Sequence, residues 1–180
     1  MRVEGSFRPK RGSMQQVVRK EHLVEVAEAL AEHGVRYLFA GGMAVLAHGY
    51  LRSTMDIDIV VGLSAENILA AFKALDSVGY RPRQPITAEQ FADQELRESW
   101  RREKHMLVLQ FWADDKPGVD VFVYEPFDFE AELARAFVDK VNDATDARFV
   151  TVETLLEMKR DAGRDKDLID IEALNRLYET

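Results

Sequence analysis

Two aspartates one residue apart, Asp56 and Asp58, are the first residues in this 180-residue chain that could do chemistry. They sit in MDIDIVV, a β-branched run, and side chains of a strand point alternately to opposite faces. Both carboxylates therefore share one face, while Ile57 and Ile59 share the other and enter a core. Two ionised carboxylates held side by side repel, and one keeps a proton unless a cation lies between them. A magnesium ion suits the pair, because it is hard, takes oxygen ligands and completes its shell with water and substrate phosphates. Upstream lie Gly41 and Gly42, with thirteen residues between Gly42 and Asp56. These glycines have no side chain to obstruct a phosphate, and they lead into a short helix whose N-terminus favours an anion. Either half alone reads as well as a tight turn or a solvated strand face. Together, in this order, they point to phosphoryl chemistry.

Nucleotidyl transfer with two metal ions calls for a third carboxylate, to orient the attacking hydroxyl or bind the second ion. Asp120 is the candidate. It lies in Gly118-Val119-Asp120-Val121-Phe122, where alternation sets Val119, Val121 and Val123 on one face and Asp120 with Phe122 on the other. An acid inside such a strand is unfavourable without a partner. The alternative is a strand-end acid satisfied by turn amides.

The elements that must position these residues follow from periodicity and caps. Apolar spacing predicts a helix from Met14 to Glu32, ended by Gly34. Val35 to Ala40 reads as a strand, Met43 to His48 as a short helix and Ile57 to Val61 as a second strand. Ser64 caps a helix from Ala65 to Val78, and Gly79 closes it. Tyr80 to Pro85 is extended or loop. Thr87 with Gln90 forms a capping box for a helix reaching about Lys104. Met106 to Trp112 and Val119 to Val123 read as a hairpin across DDKPG. Phe129 to Phe137 is expected to be helical, and Phe149 to Val152 extended. Thr151 caps a helix to Ala162, and after Gly163 another runs from about Asp165 to Tyr178. The fold class is α/β (α+β): a small mixed β-sheet flanked by helices. In domain terms the reading is a flexible tail over 1–13, a core over 14–150, and C-terminal helices over 151–180 packed on that core.

Composition narrows the function classes. A chain that is 47% hydrophobic and 31% charged suits a globular domain with a real core. Its net charge of −8 argues against broad binding to nucleic acid or an anionic membrane, leaving room for a local basic groove. With no cysteine there is neither a disulfide framework nor a thiolate metal site. No apolar run spans a bilayer and the N-terminus lacks a secretory h-region, so the expectation is a cytoplasmic protein without a membrane partner.

The pair Gly41-Gly42 followed by Asp56-Ile57-Asp58-Ile59 resembles the signature of the DNA polymerase β-type nucleotidyltransferase superfamily. The longer stretches GGMAVLAHGYLRSTMDIDIVV and LLEMKRDAGRDKDLIDIEAL are most similar to small bacterial nucleotidyltransferases, including the AbiEii-like toxin group. The resemblance implies a nucleotidyltransferase-like core and an enzyme that moves NMP from an NTP such as ATP to an acceptor hydroxyl. It implies that Asp56, Asp58 and Asp120 hold two Mg2+ ions and that Gly41 and Gly42 approach the triphosphate. It also implies nucleotide contacts from Arg52, Thr54 and Lys159, although Thr54 could simply stabilise its turn and Lys159 could be an ordinary helical lysine. The acceptor stays open among tRNA, a protein side chain and a small molecule such as an aminoglycoside. The implied context is a toxin with an antitoxin partner. The alternative is a nucleotide- or partner-binding module that kept the fold without turnover.

Other residues carry less. His48 beside Gly49 has a capping explanation, and the remaining histidines are scattered without metal spacing. Arg97, Arg101, Arg102 and Lys104 with Trp100 could meet nucleic-acid phosphates and a base, but the interleaved Glu95, Glu98 and Glu103 favour local ion pairs. Arg164 to Asp167 reads as ion pairs at a helix start, with the dipole an adequate reason for Asp167.

Overall fold

Capping residues set most of the helix starts, as their sequence positions suggest. In the computed structural model, which describes residues 16–178, Ser64, Thr87, Asp93, Asp128 and Thr151 each accept a hydrogen bond from the backbone N–H three residues on. The chain runs α1 (Lys20–Glu32), β1 (Tyr37–Phe39), α2 (Gly41–Ala47), β2 (Asp56–Val61), α3 (Ala65–Ser77) and β3 (Arg81–Pro82). It continues with α4 (Ala88–Ala92), α5 (Gln94–Lys104), β4 (Val108–Trp112), β5 (Gly118–Phe122), α6 (Phe129–Ala134), β6 (Phe137–Lys140), β7 (Asp146–Phe149), α7 (Val152–Ala162) and α8 (Asp165–Tyr178).

The strands form one mixed sheet in the order β3-β4-β5-β2-β1-β7-β6. At its centre β2 runs parallel to β5 and antiparallel to β1. The β4–β5 hairpin is antiparallel, as its turn composition predicts. One face of the sheet is the main core. Ile57, Ile59, Leu109, Phe111, Val119 and Val121 are sealed there, with Phe72 of α3 edge-on to Phe111 at 5.1 Å and tilted on Phe91 at 5.5 Å. Each such fully buried side chain contributes about 1.5–3 kcal/mol of hydrophobic stabilisation. All three residues of β1 are buried, whereas β4 and β5 alternate between buried and partly exposed. The sheet is therefore covered on both faces at β1 and on one face at β4 and β5.

Three expectations are corrected. Helix α1 starts at Lys20 rather than Met14, because Val18 N–H donates to the Thr54 carbonyl at 2.9 Å and holds that segment out of the helix. The helix expected from Thr87 to Lys104 is two, broken at Asp93, whose ψ of 115° closes α4 while its carboxylate caps α5. The helix over Phe129–Phe137 stops at Ala134, and Phe137 opens β6, an edge strand exposed at every residue. Only its pairing with β7 defines that strand, and pairing leaves no local pattern. The predicted tail over 1–13 lies outside the described residues. No helix among the described residues is long and apolar enough to cross a membrane.

Candidate active site

The register of β2 on β5 sets the site. Asp58 pairs with Asp120 and Asp56 with Gly118, so the alternation that puts Asp56 and Asp58 on one face brings Asp120 to the same face, one strand away. Gly118 is small for a reason: a Cβ there would stand 3.2 Å from Asp56 Oδ1. Burial raises the Asp58 carboxyl above the ordinary range, and the charge of Asp56 raises it further. The charges of Lys166 and Arg164 and the Gly42 N–H oppose the rise. Asp120 is pushed up to about 7, by burial first and then by the charges of Asp58 and Asp56, with the Gln110 side chain and Arg83 pulling the other way. Asp120 Oδ1 is buried without a hydrogen-bond partner. Such an atom is costly unless something else satisfies it.

The glycine turn closes over Asp58 and the entry to β2. Gly41 has φ +55°, a left-handed conformation that glycine adopts freely, and an added Cβ would lie 1.9 Å from Asp58 Oδ2. At Gly42 an added Cβ would lie 2.2 Å from Thr54 Oγ1 and 3.3 Å from Arg52 Nη1. Neither position has room for a side chain, so the backbone itself approaches the carboxylates. Thr54 is buried and donates to the Asp56 carbonyl at 3.3 Å, which fixes the entry into β2.

Three mutually repelling carboxylates, an unsatisfied oxygen and a backbone cradle fit a divalent cation with oxygen ligands. Among the described residues no group of three acidic, histidine or cysteine side chains is arranged so that it could hold a metal ion.

Arg52 and Lys159 are placed differently. Arg52 makes a two-pronged ion pair with Asp170, at 2.7 Å from Nε and 2.8 Å from Nη2, and Nη1 donates to the Ser53 carbonyl at 2.8 Å. Lys159 is only 4% exposed and donates to Asp170 at 2.6 Å and Asp167 at 3.2 Å. Arg164 also grips Asp167, at 2.6 Å. The stretch that resembles the toxin-group motif thus ties α7, α8 and the loop before β2 together, with Arg52 as the member nearest the glycine turn. His48 serves the same scaffold. Its Nε2–H donates to the Val150 carbonyl and its Nδ1 accepts from the Tyr178 hydroxyl, each at 2.8 Å.

Sequence reasoning missed Gly118, Gln110 and Arg83. Gln110 is a polar residue alternating between Leu109 and Phe111, a pattern that marks it as facing the same side as Asp120 once the hairpin is drawn. Arg83 carried no local signal, since only the pairing of β3 with β4 brings it near.

No family model and no curated protein matches this chain. Solved structures do. The lincosamide antibiotic adenylyltransferase LnuA, in its lincomycin-bound crystal structure, superposes with a TM-score of 0.56 at 14% identity, over 90% of this chain and 99% of that one. The fold is that of the nucleotidyltransferases. ANT(2'')-Ia in complex with adenylyl-2''-tobramycin gives 0.55 at 12% identity, covering 87% of each chain. An antigenic nucleotidyltransferase-like protein from Paracoccidioides brasiliensis gives 0.51 at 15% identity, over 90% of this chain and 79% of that one.

Proposed function

We propose that this protein is a magnesium-dependent nucleotidyltransferase that moves NMP from an NTP to an acceptor hydroxyl. The observation that carries the reading is the side-by-side placement of Asp58 and Asp120 on parallel strands, with Asp120 Oδ1 unsatisfied and Asp58 against the Gly41 backbone. Support also comes from the fold, since its solved neighbours include two antibiotic-modifying enzymes of this chemistry.

In this proposal Asp56, Asp58 and Asp120 hold Mg2+, which supplies charge neutralisation between the carboxylates and the phosphate oxygens. Gly41 and Gly42 let the triphosphate lie against backbone N–H groups. Helix α2 has only seven residues, so these local donors matter more than any helix-long dipole. Arg52, held rigid by Asp170, borders the cradle and limits where the phosphates lie. Lys159 acts through Asp170, which it shares with Arg52, as a positioning residue. Asp120 accepts the proton of the acceptor hydroxyl, whose oxygen bonds to the α-phosphorus as the bond to pyrophosphate breaks. In the metal-free protein burial and the neighbouring acids push this carboxyl up to about 7, and a bound cation would draw it down toward the ionised form that accepts a proton. The rate enhancement then comes chiefly from positioning and electrostatics.

The test is an incubation with α-labelled NTPs, Mg2+ and total cellular RNA or protein, read as label transfer and pyrophosphate release. Both are expected to require Mg2+ and to fall to background in Asp56→Ala/Asp58→Ala. Pyrophosphate release that survives this double substitution overturns the metal-site assignment. The proposed toxin context in the cytoplasm is tested separately, by growth arrest on induction that the same double substitution relieves.

A further inference from the structure

A cavity of about 490 Å³ lies at the end of the sheet away from the acidic triad, a volume within the range of small-molecule sites. Strands β1 and β7 run parallel and pair at Phe39 and Phe149. The strand residues that line the cavity, Tyr37, Asp146 and Arg148, all precede that pair. Tyr37 stands opposite Val61, at the far end of β2 from Asp56 and about 17 Å away at strand spacing. The walls are tied in place. Val35 N–H donates to the Leu30 carbonyl at 2.9 Å, which turns α1 into β1. Buried Asn67 accepts from the Arg36 N–H at 2.7 Å and donates to the Arg36 carbonyl at 3.0 Å. Across the cavity, Asn142 accepts from the Ala144 and Thr145 N–H groups in the β6–β7 turn and donates to Glu28 of α1 at 2.6 Å.

Ala31, Val35 and Leu133 give the cavity an apolar side. Tyr37 is only 5% exposed, yet its hydroxyl makes no hydrogen bond with a described residue and keeps access to solvent. Burial pushes that hydroxyl up to about 12, with the charge of Arg148 pulling the other way, so at neutral pH it is a donor. Arg36, also on the lining, is neutralised by Glu130 and lies over the Phe129 ring at 5.8 Å. Two charges are left. Asp146 and Arg148 are both exposed and share one face of β7. Neither makes an ion pair with a described residue, although Lys140 of β6 stands in register with Asp146.

We infer that this cavity binds a free aliphatic α-amino acid as its zwitterion. The ammonium sits on Asp146, the carboxylate on Arg148 and the Tyr37 hydroxyl, and the side chain against Ala31, Val35 and Leu133. Charge and spacing select that class. Residues two apart on a strand lie about 6.8 Å apart, which leaves room for a small group between their side chains. A simple anion would meet Asp146 as a like charge, and a simple cation would meet Arg148 in the same way. An α-amino acid carries both signs on one carbon and satisfies both residues at once, with charge-assisted hydrogen bonds at each end. The inference is independent of the nucleotidyl-transfer reading, because none of these residues belongs to the acidic triad or the glycine turn.

The test is calorimetric titration of the full chain with L-leucine, isocaproate and isoamylamine. The two analogues keep the branched chain and lack the ammonium and the carboxylate respectively. Leucine is expected to bind saturably, and each analogue at least about tenfold more weakly, since each forfeits a charge-assisted contact. Asp146→Asn should weaken leucine about tenfold and leave isocaproate no weaker. Arg148→Gln should weaken leucine and isocaproate and leave isoamylamine no weaker. Tyr37→Phe removes a hydroxyl without a protein partner, so it should lower leucine affinity while the melting temperature of the free protein stays within its wild-type range or above. Saturating leucine should raise the melting temperature of wild type. Every variant is verified as folded by circular dichroism. Absence of saturable leucine binding overturns the assignment. So does affinity for isocaproate or isoamylamine equal to that for leucine, or leucine affinity that is equal in wild type, Asp146→Asn and Arg148→Gln. Asp56→Ala/Asp58→Ala should bind leucine as wild type does, and loss of binding there moves the ligand to the triad and overturns the cavity. None of these readouts uses nucleotide transfer, so failure here leaves the nucleotidyl-transfer reading to its own test.

Discussion

The molecule holds two clusters of aspartates, and they have been given opposite surroundings. Asp167 and Asp170 are buried among Lys159, Arg52 and Arg164, in ion pairs of 2.6 to 3.2 Å. Burial alone would raise Asp167, but hydrogen bonds from Arg164 and Lys159 outweigh it and hold the carboxyl below its ordinary value. Asp56, Asp58 and Asp120 form no ion pair with a described residue, and Asp58 and Asp120 sit above their ordinary values although Lys166, Arg164 and Arg83 pull the other way. The first cluster is neutralised by the protein and fastens helices. The second, on the function proposed above, leaves its neutralisation to a bound cation. The same side chain is structural or functional according to where its counter-charge resides.

The sharpest way to break this contrast is to remove the counter-charge from the closed cluster. Lys159→Met leaves Asp167 and Asp170 short of a cation in a buried setting and is expected to cost about 3–5 kcal/mol in urea unfolding. A smaller loss, with nucleotide binding abolished in a stably folded variant, would instead assign Lys159 to the nucleotide directly. Gly41→Ala comes next. Its left-handed backbone costs about 1–2 kcal/mol with a side chain, and its Cβ displaces Asp58, so both thermal stability and Mg2+ affinity by calorimetry should fall.

The two clusters should also bend the pH profile in opposite directions. A carboxyl whose folded value is raised binds more protons in the folded state, so stability falls as pH rises from its unfolded value near 4 to about 7. Asp120→Asn should remove part of that slope and raise the melting temperature of the metal-free protein at pH 8, with the two proteins converging below pH 4. Asp167, whose value is lowered, stabilises the fold above its unfolded value, and that contribution is lost as acid takes the pH below it. Magnesium should reverse the first slope and leave the second. The smallest effect belongs to the exposed Arg176–Glu172 pair on α8, where Arg176→Ala should change stability by less than about 0.5 kcal/mol.

The contrast also explains which parts were legible beforehand. Asp56 and Asp58 share a face by strand parity alone, so their proximity followed from three consecutive letters. Asp120 was legible as an anomalous acid in an apolar strand, while its pairing opposite Asp58 is a register that no local pattern encodes. Lys159 looks like any lysine on an amphipathic helix, because the acids that bury it come from the next helix. β6, exposed at all four residues, lacks the alternation that reveals a half-buried strand. Arg83 comes near Gln110 only through the pairing of β3 and β4, and was out of reach for the same reason.

One consequence of the parallel β2–β5 pairing concerns time. Parallel neighbours cannot be joined by a tight turn, and here the crossover contains α3, β3, α4, α5 and β4. Closing so long a loop costs chain entropy before any contact repays it, which makes this pairing slow to form. Asp56 and Asp58 leave the ribosome well ahead of Asp120, and until β5 docks they are an ordinary pair of solvated acids. The nascent chain therefore carries no assembled acidic site.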